Sequence, residues 1–475
     1  MRRSFVLSLL FAAMLMANPA WAADSTDWSV YLHDNARDNA AQDGRTFAAG
    51  AVHLNETWSM KLGGPIISSP VIEGDFAYVP SWDGNLYALN LATHQVVWKR
   101  FLGTQTTWLG PAGVSSPPAF VADIGPHGAI LTGGGGQEQA SDKHLYFYAL
   151  DAQTGDILWR TVVGGAKADS VFDSPLYLNG HIYIGTAGSG AMVTSSAPPR
   201  AGILYELDGQ TGKMLHKQSM GAPKGPGGAI WGSVSSNDGG TRVFVPTGDG
   251  SNAYVQHLVE GLVAVDPSTL KVLDHWQLAP NKQIGNDNDF GTTVTVFSDG
   301  SRTLIGATIK SGTYYALDAG HLKKGPVWKR QLGNSGSGNA YDDICSSAFA
   351  SGSGYPGGRT LYVAAPNVKI NGQNAQGGLY ALDPANGHVI WSVPLNGLPQ
   401  EGAVTVYDDT VIVPIQGDFF QGVSGGTIEV RSALDGHLLA SVPETGTPFA
   451  APVVMNGTIY VGTSDGVFHV ISMTS

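Results

Sequence analysis

The chain has 475 residues, with 26 basic and 38 acidic side chains and a formal net charge of −12. That balance argues against a nucleic-acid partner, which needs a basic face. Only 13% of residues are charged, 43% are hydrophobic and 64 are glycine, so the chain can bury a large core and is not a disordered polymer.

At the start, Arg2 and Arg3 precede a short apolar run from Phe5 to Met16, and Ala20-Trp21-Ala22 has the form of a signal-peptidase site. The sequence predicts a secretory signal over 1–22 and a single domain over 23–475. No cysteine stands directly after the predicted cleavage site, and no later segment is apolar for the roughly 20 residues of a membrane span. The expectation is a soluble exported protein, periplasmic or secreted, with no membrane anchor. The one cysteine, Cys345, rules out an internal disulfide, a Cys-ligated zinc site and a CxxCH haem attachment. Low charge density also suits an acidic compartment, where carboxylates lose their charge and a base-rich chain repels itself.

From residue 68 onward the chain repeats at about 57 residues. One phrase recurs: LYALNLATHQVVW ending at Trp98, FYALDAQTGDILW at Trp159, LYELDGQTGKMLH at His216, LVAVDPSTLKVLD at Asp274, YYALDAGHLKKGPVW at Trp328, LYALDPANGHVIW at Trp391 and IEVRSALDGHLLA at Ala440. Each unit reads as four short strands with alternating apolar and β-branched residues. In the first unit these begin at Ser69-Pro70-Val71 and continue as Phe76 to Pro80, Leu86 to Asn90 and Gln95 to Lys99, with Asp83-Gly84 as a hairpin turn. An eighth unit starts at Ala451-Pro452-Val453 and runs out after three strands. Its fourth is available at Glu56 to Met60, before the first unit. The predicted fold is all-β, an eight-bladed β-propeller whose last blade is closed by N- and C-terminal strands.

In such a ring the residues just before each inner strand converge at one end of the axis. Most here are small and neutral; Asp173, Trp231, Asp289, Cys345 and Glu401 are the exceptions and form the candidate constellation. Each has a structural alternative. Asp289, in Asn286-Asp287-Asn288-Asp289-Phe290-Gly291, could cap a loop as an Asx-turn. Trp231 could pack between blades, Cys345 could be a small buried hydrophobe, and Lys310, in Ile309-Lys310-Ser311-Gly312, could be a solvated turn lysine. His33, His53, His127, His181, His257 and His388 show no metal-ligand spacing.

The Asp-x-x-Thr-Gly-x-x-x-Trp blade signature resembles that of the quinoprotein (PQQ-type) propellers, and Asp27-Trp28-Ser29-Val30-Tyr31 with His33-Asp34 is similar to their entry segment. The resemblance covers nearly all of the chain after the signal. It implies a catalytic base at Asp289, although Asn288 stands where the family has Trp. It also implies a quinone floor at Trp231, a quinone-contacting cation at Lys310 and a calcium ligand at Asp249, although the turn of the repeat explains that residue without any metal. Three parts of the family pattern are missing: the adjacent cysteine pair, the glutamate calcium ligand (the matching stretch is Gly185-Thr186-Ala187-Gly188-Ser189-Gly190) and any haem motif. Calcium wants 6–8 oxygens, so the expectation is no cofactor, with PQQ and calcium as the alternative.

Some relatives use this propeller without a quinone, the tetrathionate hydrolases of acidophiles among them. The predicted signal, the low charge density, the incomplete quinone site and the insertions at 188–200, 250–260, 333–343 and 371–378 fit that branch. The first expectation is therefore an acid-dependent hydrolase of a small anionic sulfur compound such as tetrathionate. In it Asp289 acts as the acid, Lys310 holds the anion, and Asp173, Glu401 and Cys345 line the site. The alternatives are a PQQ-dependent alcohol or sugar dehydrogenase with a degenerate metal site, and a non-catalytic scaffold. A homodimer built through an inserted loop is compatible with the sequence.

Overall fold

Alternating apolar side chains in each repeat give strands that are buried on both faces at the second and third positions and half-exposed at the fourth. In the first blade these are Val71–Glu73, Phe76–Pro80, Asn85–Asn90 and Gln95–Phe101, paired antiparallel in that order. A computed structural model describes residues 27–475 except 49, 108–109, 168, 189–199, 222–226, 238, 249–256, 281–287, 335–342, 400 and 418–424. It shows eight such blades in a ring. The inner strands are Val71–Glu73, Ala119–Val121, Leu176–Leu178, Ser235–Ser236, Thr295–Ser298, Ala348–Ser351, Thr405–Tyr407 and Val453–Met455. Blade 8 closes as expected: His53–Lys61 pairs antiparallel with Val467–Thr474, Trp58 opposite Val470. The predicted signal segment lies outside the described residues, and among those described no helix is long and apolar enough to cross a membrane.

The repeat signature is a docking device between blades. Trp98 of blade 1 lies over the Thr154-Gly155 turn of blade 2, where a β-carbon on residue 155 would stand 2.5 Å from the indole. The Trp98 Nε1–H donates to the Ala152 carbonyl at 3.0 Å. Trp159, Trp328 and Trp391 repeat the bond to Gly209, Pro384 and Ala433 of the following blades. Two other junctions lack the full pair. His216 faces a turn carrying Leu270 at a φ of 53°, and Trp58 stacks instead on His94, ring centroids 4.7 Å apart. Tryptophan and glycine are thus one packing unit split across two blades.

The channel is floored by the entry segment. Residues 28–43 run round the axis and bond to every blade in turn: Trp28 with Ile72, Ser29 O with Phe120 N, Asn35 with Tyr177 and Ser236, Ala36 O with Val296 N, Asp38 O with Phe349 N, Asn39 O with Val406 N, and Asp43 Oδ2 with Asn456 N. Ala40–Ala41 also adds to Thr405–Tyr407 as a parallel fifth strand. Arg37 stands at its centre with no exposed surface. Its guanidinium donates to the carbonyls of Tyr31, Ser174, Pro175 and Val234 at 2.6–3.3 Å. Above this floor hydroxyls lace neighbouring blades. Ser174 N donates to Ser233 Oγ, Ser233 N to Thr293 Oγ1 and Thr293 N to Ser346 Oγ, at 2.9–3.0 Å. That lacing is why the converging segments are small and polar.

Candidate active site

In blades 1, 3, 4, 5 and 8 the carbonyl six residues before the inner strand accepts a bond from the turn between the second and third strands of its own blade. Pro65, Ser170, Ala229 and Thr447 do so from Trp82, Ala187, Gly248 and Ser464. In blade 5 this position is Asp289, whose carbonyl accepts from Lys310 N at 3.0 Å. The backbone of both residues therefore does scaffold work that other blades perform with neutral residues, and their side chains are additional. They form an ion pair: Lys310 Nζ lies 2.9 Å from Asp289 Oδ2, with the carboxylate fully buried and the lysine 17% exposed. The pair is close but not aligned as a hydrogen bond. Among the described residues, neither Asp289 oxygen has a hydrogen-bonded partner. A buried carboxylate oxygen left open is costly unless something else satisfies it.

Trp231 belongs to the neighbouring blade 4 and is half-buried. Its ring lies against Phe172, centroids 5.2 Å apart at 39°, and its Nε1–H is buried without an acceptor among the described residues. Gly248 is wedged between it and the carboxylate. A β-carbon there would stand 2.6 Å from Asp289 Oδ1 and 2.9 Å from Trp231 Cδ1. The structure thus gathers Trp231, Asp289 and Lys310 into one corner of the channel mouth. It adds Phe172 and Gly248, which residue type alone did not single out; their signal is the repeat position they share with Ile67 and Trp82. Asp343 is buried beside this corner, its N–H on the Lys310 carbonyl at 3.0 Å.

The other candidates are placed elsewhere. Asp173 is part of the floor: Oδ2 accepts from Gly185 N at 2.7 Å and Oδ1 from Val234 N at 3.2 Å. Burial pushes its carboxyl up to about 7 against the opposing pull of those bonds and of Arg37. Arg37 in turn is lowered to about 10, first by burial. Cys345 is fully buried, its Sγ 2.9 Å from the Gly402 carbonyl. Burial and then the nearby Asp343 hold the thiol well above the usual range, so it has neither the access nor the thiolate of a reactive cysteine lining a site. Glu401, three blades from Trp231, has its N–H on the Gln416 side-chain oxygen at 3.0 Å. Asp249 lies outside the described residues, and among those described no three His, Cys, Asp or Glu side chains form a metal cluster.

Residues 123–343 and 310–475 match the family model described as outer membrane protein assembly factor BamB, a PQQ-type repeat. Residues 34–171 match the model for the β-propeller domain of glucose, ethanol and alcohol dehydrogenases. The chain belongs to the PQQ-type β-propeller family. It is 27% identical over 387 residues to a polyvinylalcohol dehydrogenase of Sphingopyxis sp. (strain 113P3), covering 71% of this chain and 54% of that one. It is 25% identical over 476 residues to a polyvinylalcohol dehydrogenase of Pseudomonas sp., covering 87% and 69%. The chain thus spans about half the length of the first of these relatives. Among solved structures, the quinohemoprotein alcohol dehydrogenase of Comamonas testosteroni superposes with a TM-score of 0.70 at 17% identity, covering 95% of this chain and 81% of that one. These findings overturn two expectations. The relatives are dehydrogenases and not tetrathionate hydrolases, and they point to a quinone where no cofactor was expected. The cysteine pair and the glutamate are absent from the sequence, but a carboxylate, an indole and an ammonium are all present at the mouth.

Proposed function

We propose that this propeller is a quinoprotein dehydrogenase that oxidises an alcohol. The observation that carries the reading is the corner of the channel mouth. A buried carboxylate there has one oxygen beside an ammonium at 2.9 Å and the other open toward an indole, across a glycine. The residues fit pyrroloquinoline quinone. Trp231 offers a flat face with an unused N–H, and Lys310 offers a cation for a quinone oxygen. When bound, the group would supply the two-electron acceptor that no side chain can provide.

The chain's own residues supply the rest. Asp289 Oδ1 takes the hydroxyl proton of the alcohol as general base. Lys310 at Oδ2 and the Lys310 N–H on the Asp289 carbonyl hold the base in place. Phe172 and Trp231 give the mouth an apolar wall that favours a carbinol over an anion.

Loading the purified chain with PQQ and calcium tests this. Primary and secondary alcohols and short polyvinyl alcohol would be offered with an artificial electron acceptor. Turnover that depends on the quinone and disappears in Asp289→Asn is expected. Absence of both turnover and quenching of tryptophan fluorescence by PQQ would refute the reading.

A further inference from the structure

We infer that Gly248 is a positioning residue for the base: its missing side chain is the gap that holds the Asp289 carboxylate against the edge of Trp231. This rests on the dehydrogenase reading for its consequence in catalysis, but the packing claim stands alone.

The position is defined by the repeat. The turn N–H that bonds back to the segment before the inner strand belongs to Trp82 in blade 1, Ala187 in blade 3, Lys310 in blade 5 and Ser464 in blade 8. Side chains up to the size of tryptophan are thus accepted at this place in the fold. Blade 4 alone of these five blades has glycine. Backbone conformation does not demand it, because Gly248 is absent from the residues with positive φ, so alanine could adopt the same dihedrals.

What demands it is proximity. A β-carbon would come within 2.6 Å of Asp289 Oδ1, 2.9 Å of its Cγ and 2.9 Å of Trp231 Cδ1. Nor can the residue back away, since its N–H is bonded to the Ala229 carbonyl at 2.8 Å and its carbonyl accepts from Glu260 N at 3.1 Å. The carboxylate must therefore yield to any added methyl group. Asp289 Oδ2 is beside Lys310 and the side chain is fully buried, so turning it moves Oδ1 away from its place beside Trp231. A misplacement of about 1 Å at a reacting group costs on the order of 10²-fold in rate.

The test is Gly248→Ala, read in two ways. The first is on quinone-free protein labelled with 5-fluorotryptophan, the Trp231 resonance being assigned by its loss in Trp231→Phe. Gly248→Ala should shift that resonance and leave those of Trp98 and Trp159 in place. Asp289→Asn in the otherwise native chain should shift it as well, a readout that holds even where the alanine variant folds poorly. The second is kinetics of the loaded enzyme. kcat should fall about 10- to 100-fold with KM within about threefold, and Gly248→Ala should cost nothing further in the Asp289→Asn background. A Trp231 signal unmoved by both substitutions overturns the inference, as does native kcat in a folded Gly248→Ala. Fluorine shifts as expected in the variants, with a loaded native protein that turns over no alcohol, would instead refute the dehydrogenase reading.

Discussion

The floor and the mouth of the channel are built from the same repeat, but they treat polar groups in opposite ways. At the floor, Arg37 divides its donors among four carbonyls on three segments, and both Asp173 oxygens accept backbone N–H bonds. At the mouth, Asp289 and the Trp231 Nε1 are buried and, among the described residues, lack hydrogen-bonded partners. Folding satisfies polar groups wherever a partner can be found. Among the described residues single buried oxygens are open at the floor too, Asn39 Oδ1 and Ser174 Oγ among them, but at the mouth both oxygens of one carboxylate and a neighbouring indole N–H are open together, and that combination marks where a ligand completes the structure. The same contrast separates an enzyme from a scaffold with the same fold.

Asp289→Asn should have the largest effect, and it should be confined to the mouth. Loss of a general base lowers kcat by about 10²–10⁴-fold, while the denaturant midpoint stays close to native because the carbonyl bond from Lys310 is retained. A variant that keeps its turnover breaks the assignment. Arg37→Met is the counterpart at the floor. Arg37→Met leaves the carbonyls of Tyr31, Ser174, Pro175 and Val234 without their donor, at about 1–3 kcal/mol for a buried acceptor left unpaired, and guanidinium unfolding should show the loss. kcat per folded molecule should stay close to native. A midpoint unchanged by Arg37→Met would mean that the entry segment is decoration and that the contrast between floor and mouth is empty.

What the sequence could and could not show follows from range. Blade number, strand order and closure by Glu56 to Met60 were legible because each blade carries its own local signature. That Trp231 and Asp289 lie at one end of the axis was legible because a ring makes corresponding positions converge, whereas Lys310 came from the family resemblance. The floor was not, because its bonds link residues 28–43 to backbone atoms as much as 413 positions away, and a backbone acceptor has no residue type. Asp173 and Cys345 were misjudged for a related reason. Converging at the axis does not say how deep a side chain lies, and both lie in the packed layer below the mouth. The chemistry was misjudged because the absent cysteine pair and glutamate were conspicuous, whereas the gap at Gly248 is only a missing atom.

Acid dependence sharpens the contrast further, with a smaller effect. Burial, and then the Asp38 charge beside it, pushes the Asp34 carboxyl up to about 7, against the pull of His33 and Arg37. The folded floor therefore keeps a proton that the unfolded chain releases near pH 4. The stability this contributes is complete below about pH 4 and is lost as pH rises through about 7. Asp34→Asn fixes the neutral form, so its midpoint relative to the native chain should improve as pH rises from 5 to 8. A difference between the two that does not vary with pH would show that Asp34 is not held neutral.

The smallest effect is expected at Cys345, which lies at the boundary between the two regions. Its sulfur is within reach of the Gly402 carbonyl, and its thiol is held away from the reactive thiolate by burial and by Asp343. Cys345→Ala removes one weak donor and one buried sulfur, a loss of about 1 kcal/mol, and should leave kcat unchanged. The native thiol should resist a thiol reagent until the chain unfolds, so that labelling follows the denaturant transition. Rapid labelling of the folded protein, or a fall in kcat in Cys345→Ala, would move the boundary downward and make the cysteine part of the mouth. Slow labelling with intact turnover leaves the chemistry to the corner formed by Asp289, Lys310 and Trp231.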